Sequence, residues 1–262
     1  MLRYLQLFIG FQKMNYSAFL HYQLDLLAWI LGAILDLVIS VFCVLMILSV
    51  SKTIGGWGSA PIFLLMAVLF ISRAVWHTFF NNTVDLGRSI RMGNLDRMLI
   101  MPINPLFHFL NKGRYNTELD WEDILVGTYL LVKGISDIGV ELSILDTVVL
   151  LNALICGGLI YSAVVFIGAL MAFWMHRSDS IVSLLRAGEE FAYYPIKIYG
   201  KGIQLLMFII PFAFLNYFPV SCLLYKQDYL LGFLNVPITL FLWIIVIVLW
   251  RMGLKSYEST GS

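Results

Sequence analysis

The chain is patterned in long apolar runs separated by short polar ones, and a spanning helix needs about 20 mostly apolar residues. Leu26–Val50 is apolar except for Asp36 and Ser40, and Pro61–Phe80 except for Arg73 and His77. Thr147–Met175 is longer than a span requires, which predicts a tilted helix or one that extends past the membrane. Leu205–Phe218 carries Pro211 and ends against Pro219, which would turn the outer part of this fifth span into a broken or re-entrant segment facing outside, and Leu230–Trp250 is the cleanest run of all. A shorter candidate lies at about Trp121–Ser136, with a solid apolar core only at Ile124–Val132.

Residues 1–20 read differently. Arg3, Gln6, Gly10, Lys13 and Ser17 recur at helical spacing, while Leu2, Leu5, Phe8 and Ile9 fall elsewhere on the wheel. This predicts an amphipathic helix lying in the membrane interface.

Charge placement decides the weak span. Cytoplasmic loops are enriched in Lys and Arg. With six spans and both termini inside, the cytoplasmic segments hold Arg3, Lys13, Arg88, Arg91, Arg97, Lys112, Arg114, Arg177, Arg186, Lys197, Lys201, Arg251 and Lys255. The outside holds Lys52, Lys133 and Lys226. Deleting the weak span would move Arg177, Arg186, Lys197 and Lys201 outside, so the rule favours six. The expectation is an all-α integral membrane protein, one domain over residues 1–262, with six spans and an N-terminal interfacial helix.

Composition agrees. Of 262 residues 60% are hydrophobic and 13% charged, against roughly 25% charged in soluble domains. Mean hydropathy is +0.87. The net charge of +1 gives no basic face for nucleic acid. Cys43, Cys156 and Cys222 have no metal-ligand spacing, and no metal or catalytic residue is predicted. H-E-x-x-H and G-x-x-x-x-G-K-[ST] are both missing, which argues against a metalloprotease and a phosphate-loop ATPase in this chain.

The most informative stretch is Asn82–Pro105, NTVDLGRSIRMGNLDRMLIMPINP. It predicts two short helices: one to about Met92, ended by Gly93 in a left-handed cap, and one starting near Asn94 as N-cap and stopping before Pro102. Arg88, Arg91 and Arg97 place it on the cytoplasmic side.

Here the sequence resembles the ABC-2 type permeases, specifically their small six-helix branch. That family shows a pattern like I-x-x-G-x-L-D-x-x-L-x-x-P after its second span, matched by Ile90, Gly93, Leu95, Asp96, Leu99 and Pro102. Phe173–Trp174, Tyr194–Pro195, Pro211 and Pro219 follow in the family's order. One departure is Met101, where the family often has Arg before the proline. The resemblance implies a permease subunit of an ATP-driven exporter in the plasma (inner) membrane. It further implies a second permease, identical or homologous, and nucleotide-binding ATPase subunits that hold ATP and Mg. The loop with Arg88, Arg91, Gly93, Leu95, Asp96, Arg97, Leu99 and Pro102 would be the coupling helix seated on the ATPase. The competing class is a secondary transporter or channel without an ATPase, against which the chain offers no inverted repeat.

Asp36 and Arg73 are ionisable residues inside predicted spans, where a charge costs about 2.5–3.5 kcal/mol on insertion scales. Counting along antiparallel neighbours puts their depths roughly 5 Å apart, within reach of an Arg side chain. An Asp36–Arg73 pair is expected, as a helix clamp or as part of a transport path. Glu189 and Glu190 are expected in the cytoplasmic stretch before the fifth span, solvated by default.

Overall fold

A computed structural model describes residues 2–21, 52–111, 121–139, 141–175, 178–226 and 228–258, with scattered positions between 27 and 49. Asp36 lies outside the described residues, as do Lys112, Arg114 and Arg177. The helices are α1 (Leu2–His21), α2 (Ser59–Phe80), α3 (Leu86–Arg91), α4 (Asn94–Leu99), α5 (Pro105–Asn111), α6 (Trp121–Ile138), α7 (Ile144–Leu170), α8 (Asp179–Ala187), α9 (Lys201–Ile209), α10 (Phe212–Leu215), α11 (Tyr217–Tyr225), α12 (Tyr229–Phe233) and α13 (Asn235–Ser256). Among the described residues three helical stretches are long and apolar enough to cross a membrane: Ser59–Arg91, Ile144–Phe173 and Tyr229–Ser256. The expected third span forms as the helix α6 but carries Glu122, Asp123, Lys133 and Asp137. Of the six spans expected, three are therefore matched by such stretches among the described residues.

Glycines set how closely the helices approach. On α6, a Cβ at Gly127 would stand 2.8 Å from Ile71 and 3.3 Å from the Ala67 carbonyl. One at Gly134 would stand 2.9 Å from Leu64 and 3.1 Å from the Ala60 carbonyl. These contacts fix an antiparallel register between α2 and α6, using the small-residue packing that replaces the hydrophobic effect between helices in lipid. On α7, Gly157 and Gly158 meet Ser72 and Val75, and Trp76 packs edge-on against Tyr161 at 5.3 Å. That register is parallel, so Ser59 and Ile144 share one end of the bundle. Ser143 and Asp146 start α7 with a reciprocal capping box. Lys226 reaches Glu141 and Asp146 there, and Tyr229 donates to Asp146 at 2.8 Å. At the other end α13 closes onto α5 and α7, with Trp250 5.7 Å from Phe109 and 6.1 Å from Phe166. The α1 helix lies at this same Arg91 end, its Tyr4, Phe8 and Phe11 rings against Phe107, Phe79 and His108. Leu5 and Ile9 stay exposed.

The path of residues 179–198 departs from expectation. Asp179 pairs with Arg91 at one end of the bundle. Arg186 lies over the Trp76 ring, Glu189 reaches Arg73, and Pro195 and Ile198 pack on Gly55 beside the start of α2. Residues 179–198 thus run antiparallel along the whole length of α2 and α3. Lys197 lies at the Ser59 end, and Lys201 opens α9 three residues past Ile198; both were expected on the cytoplasmic side. The chain then turns back. Phe212 packs on Gly188, 3.0 Å from where a Cβ would be, and lies 6.4 Å from Tyr161. α11 returns to the Ser59 end, where Tyr217 stacks on Trp57 at 5.2 Å and Tyr225 accepts from its indole at 3.1 Å. The apolar run Leu205–Phe218 is therefore a re-entrant hairpin rather than a span. Pro211 breaks it because it cannot donate a backbone hydrogen bond, and Pro219 is tolerated in the first turn of α11. Asn216 holds the tip: its amide donates to the Leu65 carbonyl at 3.1 Å and the Ala192 carbonyl at 2.7 Å. Irregular backbone at bundle depth survives where protein buries it and satisfies its polar groups.

Candidate functional site

The loop after α2 folds as the sequence predicts in outline. α3 ends at Arg91, and Gly93 takes φ 66°, ψ 11°, the left-handed region open to glycine. This reverses the chain so that α4 leaves at an angle. The expected N-cap, Asn94, is instead the first helical residue, and Gly93 occupies the cap position without a side-chain bond.

α4 and the turn that follows it divide sharply between buried and exposed residues. Leu95 and Met98, three residues apart, are buried in the core. Arg97, Leu99, Ile100, Met101 and Pro102 are exposed, Ile100 at 84%. Arg88, Arg91 and Met92 are exposed on the neighbouring turn. The result is an apolar knob of Met92, Leu99, Ile100 and Met101 with three guanidiniums in the same short loop. Of the residues expected to meet an ATPase, Leu95 is thus an anchor holding the helix to the bundle.

Two contacts tie this loop to its surroundings. Arg91 donates to Asp179 at 2.9 Å, and Gly87 lets the chain pass closely: a Cβ there would stand 2.9 Å from Ser178 Oγ and 3.2 Å from Asp179 Oδ1. Asp96, half-buried, faces the Tyr257 hydroxyl beyond the end of α13. Burial first, and then this carboxylate, push the Tyr257 pKa up to about 12, since both disfavour the phenolate.

The second polar site lies within the bundle. Arg73 is 14 residues from Ser59, about 21 Å along α2. Its guanidinium grips Asp123 through two bonds, Nε to Oδ2 and Nη2 to Oδ1, each 2.5 Å. The α2–α6 register dictates this pairing. Nη1 donates to the Tyr193 hydroxyl at 3.4 Å and lies 3.5 Å from Glu189, and the guanidinium also sits 5.2 Å over the Phe70 ring. Asp123 and Glu189 are buried, and the Tyr161 hydroxyl faces Glu189. The expectation that Glu189 is solvated is therefore wrong: its partner Arg73 is more than 100 residues away and drawn close by the 179–198 path. Glu190, the next residue, is exposed. Arg73 pairs with Asp123 and Glu189, while the expected partner Asp36 lies outside the described residues. Sequence reading missed Asp123. The signal was an acidic pair, Glu122–Asp123, at the start of a weak span, where charge has to be matched by protein.

Among the described residues no group of three or more His, Cys, Asp or Glu could hold a metal ion. The polar residues found are an exposed basic loop at one end and a buried network that ties α2 to α6 and to the 188–193 turn.

A bundle of long apolar helices with a left-handed Gly93 elbow presenting a short helix at one end defines a helical membrane protein. The sequence matches the profile described as ABC-2 family transporter protein over residues 34–261, and the chain belongs to that family. It is thus a transmembrane permease component of an ABC transporter rather than the ATPase. No curated protein and no solved structure matches it.

Proposed function

We propose that this chain is the permease subunit of an ATP-driven exporter in the plasma (inner) membrane. It works with a second permease, identical or homologous, on separate ATPase subunits that hold ATP and Mg. The observation that carries this reading is the outward face of the α3–α4 loop. An anchored helix that points Ile100 and Met101 away from the bundle, in a loop with Arg88, Arg91 and Arg97, suits an apolar groove with acidic rims. Family membership supplies the expectation that such a groove belongs to an ATPase.

The Arg91 end is then cytoplasmic. Arg88, Arg91, Arg97, Arg251 and Lys255 lie at that end, with Arg3 and Lys13 on α1, as the positive-inside bias favours. Both termini fall on that side. In this reading the ATPase pair closes on ATP and pushes on α4. Leu95 and Met98 pass the force to the bundle, and the path between two permeases changes its access.

The test is purification of the tagged full chain from its native membrane in mild detergent, with partner identification and an ATPase assay. Recovery of a phosphate-loop ATPase, weakened by Ile100→Asp and Met101→Asp, is expected. A stable complex without an ATPase overturns the reading in favour of a secondary transporter or channel.

A further inference from the structure

We propose that α8 is a strut carrying motion from the coupling loop into the bundle, with Asp179 and Glu189 as positioning residues at its two ends. This rests on the ATP-coupled reading above.

At one end, Arg91 of α3 holds Asp179 in the first turn of α8 at 2.9 Å. Gly87 removes the space between the two segments, so a displacement of α3 meets Ser178 and Asp179 directly. At the other end α8 runs without a break into the 3₁₀ turn Gly188–Tyr193. There Glu189 lies 3.5 Å from Arg73, which is itself fixed to Asp123 on α6. The same α2–α3 stretch is therefore gripped twice by one short rod, 18 residues apart on its own side and 10 on the rod's.

The rod is stiff where it needs to be. Val182 is buried, and Leu185 and Ile181 lie against Gly168 of α7. Beyond Glu189 stiffness ends. Residues 190–198 are 3₁₀ and extended rather than α-helical, and the Ala192 carbonyl is satisfied by Asn216 of the re-entrant hairpin. Such a segment has few bonds of its own to break, so it is the element that yields when the rod shifts. Arg91 and Asp179 are each about half exposed; such a pair adds little stability, which suits a positional role. The predicted consequence is that a push on α4 reaches the hairpin tip at Asn216 through α8, in addition to any motion of α2 itself.

The experiment is hydrogen exchange by mass spectrometry on the full chain with its ATPase in lipid nanodiscs, with and without ATP and vanadate. In the wild type, nucleotide changes exchange in both the 86–101 and the 188–200 peptides. Asp179→Ala and Asp179→Lys, which break the pair without touching the docking face, each keep the 86–101 response and lose the 188–200 response. Asp179→Glu, which keeps a carboxylate facing Arg91, retains it, which a merely damaged fold would not do. If 188–200 responds equally in Asp179→Ala and Asp179→Lys, the strut is wrong. If 86–101 fails to respond in the wild type, ATP coupling itself fails and the strut falls with it.

Discussion

The buried network gives a prediction whose size follows from geometry. Asp123→Leu removes both 2.5 Å bonds to Arg73 and leaves a guanidinium whose side chain is only 17% exposed. Two unit charges about 4 Å apart interact by about 4 kcal/mol at an effective dielectric of about 20. Breaking a buried pair by removing one partner costs about 3–5 kcal/mol, because the remaining charge stays desolvated. Glu189 stays 3.5 Å away and takes up part of that charge, so the lower end, about 3 kcal/mol, is expected. At about 2–4 °C per kcal/mol for a chain of this size class, the midpoint falls by about 6–12 °C. The assay is thermal unfolding of the detergent-solubilised protein, followed by size-exclusion and tryptophan fluorescence. The comparison is the triple variant Arg73→Met, Asp123→Leu, Glu189→Gln, which removes the charges together and recovers most of the loss. A shift under about 2 °C in the single variant, or a triple variant no better than the single, would refute the claim that desolvated charge sets the cost.

Four further outcomes follow. Gly93→Ala forces a side chain into the left-handed region and costs about 1 kcal/mol; the same thermal assay reads it, and weakened ATPase recovery accompanies it. Asn216→Leu leaves the Ala192 carbonyl buried without its partner and costs about 1–3 kcal/mol, with faster exchange across 188–200 as the local sign. Gly253→Val drives a side chain into the Phe173 ring and costs about 1–3 kcal/mol by overpacking, seen as a lower midpoint. Because the folded state raises the Tyr257 pKa to about 12 from an ordinary value near 10, it holds that proton more tightly than the unfolded chain. Its contribution is whole below about pH 10 and fades as pH climbs toward 12. Tyr257→Phe flattens that alkaline loss, measured as the midpoint against pH.

The sequence by itself determined the class of solvent and most of the local structure. Apolar runs at spanning length and the scarcity of charge leave a membrane as the medium, because backbone and side chain alike must be satisfied without water. The elbow at Gly93 was readable because glycine takes that backbone angle without the steric cost a side chain brings. The break at Pro211 was readable because proline lacks a donor. These are properties of single residues and their nearest neighbours.

Only the tertiary structure decided the partners. Arg73 met Asp123 because glycines at 127 and 134 set the α2–α6 register. It met Glu189 because 179–198 doubles back along α2. Hydropathy sees Leu205–Phe218 as apolar and long, and has no term for a chain that enters and returns. Leu95 and Ile100 are equally apolar in the sequence, yet one anchors and one projects. Leu95 lies within the short helix that meets the bundle, while Ile100 caps its end, where the chain turns away, and hydropathy does not register where so short a helix stops. Pairing across 50 or 116 positions depends on relative depth and rotation of helices, and those are fixed by packing alone.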